Sequence, residues 1–147
     1  MSEIVFNDRL YGYQIAKAAG VEYNPSVDIC IANKIHGELA GGVLYNNFTG
    51  ASISIHVASF RPNWLSRDFL WVVFDYPFNQ LGVKKLFGSV CETNVKALEF
   101  DLKLGFIEEH RIREVYPDGD MILLAMKRDT CRWLNIQPKS FERRSSR

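Results

Sequence analysis

A chain of 147 residues with 47% hydrophobic content is long enough for one domain with a real core, and 18 Lys and Arg against 17 Asp and Glu leave a net charge of +1. That balance excludes a general pull towards nucleic acid or an acidic membrane, so any basic site has to be local. Cys30, Cys91 and Cys131 fall in no CxxC or metal spacing, and the first two lie in apolar strand-like runs, which predicts core thiols in a reducing compartment and no metal.

The N-terminal MSEIVFNDRL has no basic stretch leading into an apolar one, and no run approaches the roughly 18 apolar residues of a membrane helix. The expected localisation is soluble and cytoplasmic, with no membrane partner. Asn7 or Asp8 is placed to cap a first helix that runs to Ala19 and stops at Gly20. Tyr11 and Tyr13 ride on it.

Residues 27–35 then read as a strand, 34–38 as a turn, and 39–45 as a second strand. Gly41-Gly42 weakens that strand unless a bulge or a close backbone approach needs them. After the turn-rich loop 46–50, residues 51–59 (ASISIHVAS) alternate cleanly, so short turns join three consecutive strands into an antiparallel meander. Ile53, Ile55 and Val57 share one face. Ser52, Ser54, His56 and Ala58 share the other, a small, polar surface that suits the floor of a cleft.

The chain breaks at 59–64, and residues 65–81 are apolar nearly all round, which predicts a central, buried helix. Pro77 deprives the Val73 carbonyl of its usual partner and predicts a kink or an early end there, before Gly82 stops the run. Next come a short apolar strand, 86–91, the polar turn Glu92-Thr93-Asn94, and a helix led by Asn94 and ended by Gly105. With re-entry at Phe106 and Ile107, this makes one compact βαβ-like unit. Strand 106–116 and strand 121–126 flank Pro117-Asp118-Gly119-Asp120, which reads as a hairpin turn with the glycine left-handed. Past Trp133 and Leu134 apolar density falls away and the chain ends in KSFERRSSR, which predicts a single domain over 1–134 and a solvated basic tail over 135–147.

The element order, together with Asn94, Ala97, Gly105 and Phe106 in the pattern N-x-x-A-x7-G-F, resembles the GNAT acetyltransferase superfamily, most of all its small bacterial and phage-type members. The likeness covers roughly residues 7–134 and rests on four motifs in order: IHVAS, PFNQLGVKKLFGSV, NVKALEFDLKLGFIEEHRIR and DGDMILLAMKRDTCRWL. It implies an α+β fold whose mixed, mostly antiparallel sheet is flanked by helices. Strands 51–59 and 83–91 would begin side by side and splay apart into an acyl-CoA cleft. Acetyl-CoA is then the implied cosubstrate, with contacts at Val57, Ala58, Arg61, Trp64, Ser66, Arg67, Asn94 and Phe100. Two departures stand out. The pyrophosphate loop keeps only its first position in Arg61-Pro62-Asn63-Trp64-Leu65-Ser66, and Asp101 occupies the place where many relatives carry a tyrosine that protonates the departing thiolate.

His56 fits the general base, since its ordinary pKa of about 6.5 lies near working pH and it belongs to the face read as the cleft floor. A hydrogen-bonded structural histidine is the other reading. Glu38 is a second candidate base or amine-binding carboxylate, Cys91 and Tyr76 are stand-in acids, and Tyr11, Tyr13, Tyr45 and Asp118 are candidates to line an acceptor pocket; His36 and His110 are expected at the surface. The function implied is transfer of an acetyl group to a primary amine of a small molecule or protein. The competing readings are a CoA-binding or structural protein without catalysis, and a basic tail that touches nucleic acid without specificity. The apolar helix 65–81 and Trp133 leave room for a homodimer surface.

Overall fold

The computed structural model describes residues 2–138, so the tail expected over 135–147 lies outside the described residues from 139 onward. Seven strands form one sheet, β1 Ser2–Phe6, β2 Ile29–Ile35, β3 Glu38–Asn46, β4 Ser52–Ser59, β5 Lys85–Cys91, β6 Ile107–Tyr116 and β7 Gly119–Lys127. Their order is β1-β2-β3-β4-β5-β7-β6, and every neighbouring pair is antiparallel except β4 and β5. The expected meander is β2-β3-β4. Strand β1 is an addition to the expected order: its five residues pair with β2 from Ser2↔Ile35 to Phe6↔Ile31, a contact too distant in sequence for local pattern to announce.

Three helices flank the sheet: α1 Arg9–Ala19, α2 Arg67–Asp75 and α3 Val95–Leu104. Local capping chemistry fixes α1 and α3 where expected. Asp8 accepts the Tyr11 N–H at 3.2 Å and Gly20 turns left-handed to close α1, while Asn94 accepts the Ala97 N–H at 3.3 Å and Gly105 closes α3. Ile15 and Ala16 of α1 pack on Ala32, Leu44 and Ala58 on one sheet face. On the other face, α2 and α3 cover the larger core around Ile31, Val43, Ile53, Leu86, Ile122 and Leu124.

The long helix expected over 65–81 is α2 followed by a π-helical turn, Tyr76–Gln80. Pro77 ends regular helix as anticipated, and the orphaned Val73 carbonyl is satisfied by the fully buried Tyr45 hydroxyl, which donates to it at 2.5 Å. The Leu81 N–H then bonds the Tyr76 carbonyl, and buried Asp75 accepts from Asn79 and Gln80 to pin the wider turn. Phe69, Val72, Val73 and Phe74 are buried within the chain, and the Trp133 indole N–H caps the Leu104 carbonyl at 2.7 Å. Much of the apolar surface of this helix thus packs in the chain's own core, with Leu65, Leu70, Tyr76, Leu81 and Trp133 partly buried against it.

Two smaller expectations are corrected, at Gly119 and Cys91. Gly119 is not left-handed: the two-residue turn Pro117-Asp118 pairs Tyr116 with Gly119, and Glu114 takes the positive φ instead, at a bulge in β6. A Cβ on Gly119 would overlap the Glu92 side chain, which explains the glycine without any special φ. Gly41 answers to close approach, because a side chain there would collide with the Trp64 ring. Cys30 and Cys131 are buried free thiols, whereas Cys91 is half-buried at the edge of a cavity. His36 and His110 are exposed as expected. No helix among the described residues is long and apolar enough to cross a membrane.

Candidate active site

Strands β4 and β5 meet in parallel at Ser52↔Lys85, Ile53↔Leu86 and Ser54↔Phe87, then diverge. A cavity of about 740 Å³ opens where they part, between β4 from Ile55 to Val57 and β5 from Gly88 to Cys91. An added Cβ at Gly88 would meet nothing within 4 Å, so β5 leaves the gap open at its start. The cavity runs through the sheet. Ile55 and Val57 line it from the α2 and α3 side, whereas His56 reaches it from the opposite face, beside Ala18, Ala19 and Gly20 at the end of α1. The polar face expected to floor the cleft thus supplies one of its ends, and the apolar face supplies most of its wall.

Helix α3 forms the other wall. Asn94, Ala97, Asp101 and Leu104 recur at three and four residues and all line the cavity with Phe100. The Asn94 oxygen is used as the helix cap, which leaves its amide NH₂ to donate outward. Lys96 also lines the cavity, exposed and with no carboxylate within 4 Å among the described residues. Asp101 is half-buried with no side-chain hydrogen bond among the described residues, and burial pushes its carboxyl up to about 6. The position that lacks tyrosine therefore carries a carboxyl group able to hold a proton near neutrality.

On the opposite wall His56 is half-buried, and its Nε2 lies 3.0 Å from the Asn46 amide oxygen. An oxygen there requires Nε2 to donate, which places the imidazole lone pair on Nδ1. Burial lowers its pKa, and the Asp28 carboxylate partly opposes that. At neutral pH the ring is an uncharged base.

The loop before α2 is closed by its own side chains. Arg61 donates to Glu38 at 2.9 Å and to the Ile35 carbonyl at 3.1 Å, so the cation and carboxylate singled out in the sequence neutralise each other at the β2–β3 turn, outside the cavity. Trp64 is buried over Gly41, stacked on Phe100 at 6.3 Å and edge-on to Phe69 at 5.9 Å. Its carbonyl accepts from fully buried Asn33 at 2.5 Å. Ser66 spends its hydroxyl on the Phe69 N–H at 3.2 Å, and Arg67 is exposed at the first position of α2. Of the expected cofactor contacts, Val57, Trp64, Asn94 and Phe100 come together around the cavity, whereas Ala58 is buried beneath α1 and Arg61, Ser66 and Arg67 lie off it.

Tyr45 is buried in the core and Tyr76 is tilted against it at 5.4 Å, while Tyr13 packs edge-on to Tyr23 and Tyr11 lies under Lys34. None of these four lines the cavity. Asp118 accepts from Thr93 at 2.8 Å and from the Cys91 thiol at 3.5 Å, which holds its carboxyl below the usual range. Lys96, Tyr116, Asn46 and Asp28 were not legible as site residues. Helical spacing from Asn94 could have placed Ala97, Asp101 and Leu104 in one stripe, but Tyr116, Asn46 and Asp28 depend on strand register.

A mixed seven-stranded sheet that splays at its one parallel pair, with α1 on one face and α2 and α3 on the other, is the architecture of the GNAT N-acetyltransferases, and the chain has that fold. It matches a point mutant of the spermidine N-acetyltransferase of Vibrio cholerae with a TM-score of 0.72 at 15% identity, covering 91% of this chain and 96% of that one. A GNAT family acetyltransferase from Elizabethkingia anophelis with acetyl-CoA bound matches with a TM-score of 0.70 at 17% identity, over 86% of this chain and 97% of the other. A third structure, described as a "probable acetyltransferase", is longer: at 17% identity and a TM-score of 0.60 the match covers 70% of this chain but 63% of that one. No protein-family model matches the sequence, and no curated protein matches it.

Proposed function

We propose that this chain is an acetyl-CoA-dependent N-acetyltransferase acting on a primary amine, built as one domain over 1–134 with a basic tail beyond. The observation that carries the reading is the pairing of an uncharged imidazole and a proton-holding carboxyl on opposite walls of one cavity, at the splay of a GNAT fold. The structural neighbour with acetyl-CoA bound supports that molecule as the donor.

The pantetheine arm of the donor lies between β4 and α3, with Val57, Trp64 and Phe100 as apolar wall, the Ala58 backbone beside it and the Asn94 amide as hydrogen-bond donor. With Arg61 held by Glu38, the phosphates fall to Lys96 and Arg67, which carry no ion-pair partner among the described residues. In the reaction His56 Nδ1 takes a proton from the amine as its nitrogen adds to the thioester carbon. The carbon–sulfur bond then breaks, its electrons stay on sulfur, and Asp101 supplies the proton that makes the product thiol.

Two measurements test this on the full chain. Acetyl-CoA at 100 times its dissociation constant stabilises the protein by about 2.7 kcal/mol in thermal unfolding, and a panel of primary amines elicits release of free CoA. No thermal shift at millimolar acetyl-CoA overturns the reading. The closed Arg61–Glu38 loop favours one alternative, a CoA-binding protein without catalysis, for which the shift appears and CoA release does not.

A further inference from the structure

A glycine inside a strand gives up packing and backbone entropy, so its presence has to be explained by what it makes possible. Of the ten glycines, five take a positive φ, and at Gly12, Gly41, Gly42 and Gly119 an added Cβ would strike a neighbouring residue. Gly88 has neither reason. It lies in the middle of β5, paired with Leu124, without a positive φ and with nothing within 4 Å of a Cβ built on it. A strand glycine that neither the backbone nor the packing requires marks a place where something outside the chain approaches closely.

Its position says what approaches. Ser54↔Phe87 is the last rung between β4 and β5, so Gly88 is the first β5 residue past it, at the closed end of the splay. Strand alternation puts the missing side chain on the face of Leu86 and Val90, which packs with α2 and α3. On that face the cavity is lined by Ile55, Val73, Phe74, Val90, Leu104 and Phe106, and the Phe74 and Phe106 rings lie 6.4 Å apart. None of these six side chains carries a hydrogen-bonding group. An amide buried among them would lose its water without a side-chain partner, whereas a hydrocarbon would gain.

We propose that the space over Gly88 is an acyl pocket, and that it admits donors whose straight-chain acyl group is longer than acetyl, of the butyryl class. The inference rests on the acetyl-transfer reading above and widens the range of its donor. With the pantetheine arm along β4, the thioester enters the splay and its hydrocarbon end reaches the apex over Gly88. The reaction keeps its form: the amine nitrogen bonds to the thioester carbon, the carbon–sulfur bond breaks with its electrons left on sulfur, and the proton lost by the amine is matched by the one gained by the thiol. Gly88 sets the length of the group that is moved.

The test titrates acetyl-CoA and butyryl-CoA into the full chain by calorimetry without an acceptor, then follows CoA release from each donor with the panel of primary amines. Each buried methylene strengthens binding about four-fold, so butyryl-CoA is expected to bind wild type about ten-fold or more tighter than acetyl-CoA. Gly88→Val, whose side chain fills the space, is expected to remove that advantage. No gain from butyryl-CoA in wild type overturns the proposal. An equal loss for both donors in Gly88→Val also overturns it and puts the pantetheine arm over Gly88 instead. Should Gly88→Val fail to fold, Gly88→Ala has to cut the advantage by about four-fold, one methyl for one methylene, and an undiminished advantage overturns the proposal again. Turnover separates the two readings. Tighter binding of butyryl-CoA with no CoA release from any amine keeps the pocket and overturns transfer, whereas CoA release from acetyl-CoA with no butyryl advantage does the reverse.

Discussion

The two helices that begin beside the cavity start with similar chemistry and end up with opposite characters. At α2, Ser66 caps the first turn, Trp64 fills the space over Gly41, and Arg61 is drawn away to Glu38, so the capped Phe69 amide and the Arg61 cation answer to the protein itself. At α3, Asn94 caps the first turn with its oxygen but keeps its NH₂, Lys96 has no ion-pair partner among the described residues, and the stripe through Asp101 faces open space. A helix start becomes a ligand site only where its side chains leave something unspent.

The largest test of that contrast is Trp64→Ala. If the α2 loop is a structural plug, removing a buried indole that touches Phe69 and Phe100 costs about 3–5 kcal/mol in urea unfolding. A loss below about 1 kcal/mol would show the plug to be loosely seated.

Asp101→Asn acts in the other direction on stability. The native carboxyl at about 6 lies above its unfolded value near 3.9, so ionisation penalises the folded state. The penalty is absent below pH 4, grows as pH rises to 6, and is complete above it. The variant is therefore expected to gain about 1–2 kcal/mol at pH 8, after allowance for solvent at a half-buried group, and nothing at pH 4. Its CoA release is expected to fall about ten-fold or more and to lack the alkaline-side decline that an Asp101 acid predicts for wild type.

The caps sharpen the comparison at smaller scale. Ser66→Ala and Asn94→Ala each lose about 1 kcal/mol of stability, but only Asn94→Ala weakens acetyl-CoA binding in a thermal-shift titration. Smallest of all, Arg61→Ala changes stability by less than about 1 kcal/mol, as expected for a largely exposed ion pair, and leaves acetyl-CoA affinity unaltered.

What the sequence disclosed follows the range of the interactions concerned. Caps act over three or four residues, so Asp8, Gly20, Asn94 and Gly105 could be read directly, and Pro77 announced its own break. The Tyr45 hydroxyl that repairs the break lies 28 residues from Val73 and left no local sign. The same distance problem hid the Arg61–Glu38 pair and the row of Asp28, Asn46 and His56, which exists only once three strands fall into register. Gly119 was misread for a related reason: its lost side chain makes room for Glu92, far away in sequence, and not for a turn.

Three rungs join β4 to β5, and they are the sheet's link between a block of four strands and a block of three. Such a seam has few backbone bonds to break, so the two blocks can swing apart slightly while each stays internally rigid. In hydrogen exchange, the amides of β4 and β5 beside the cavity would then open together and ahead of those in the β2–β3 and β5–β7 ladders. A donor bridging the gap would act as a clasp, slowing exchange along both edges at once.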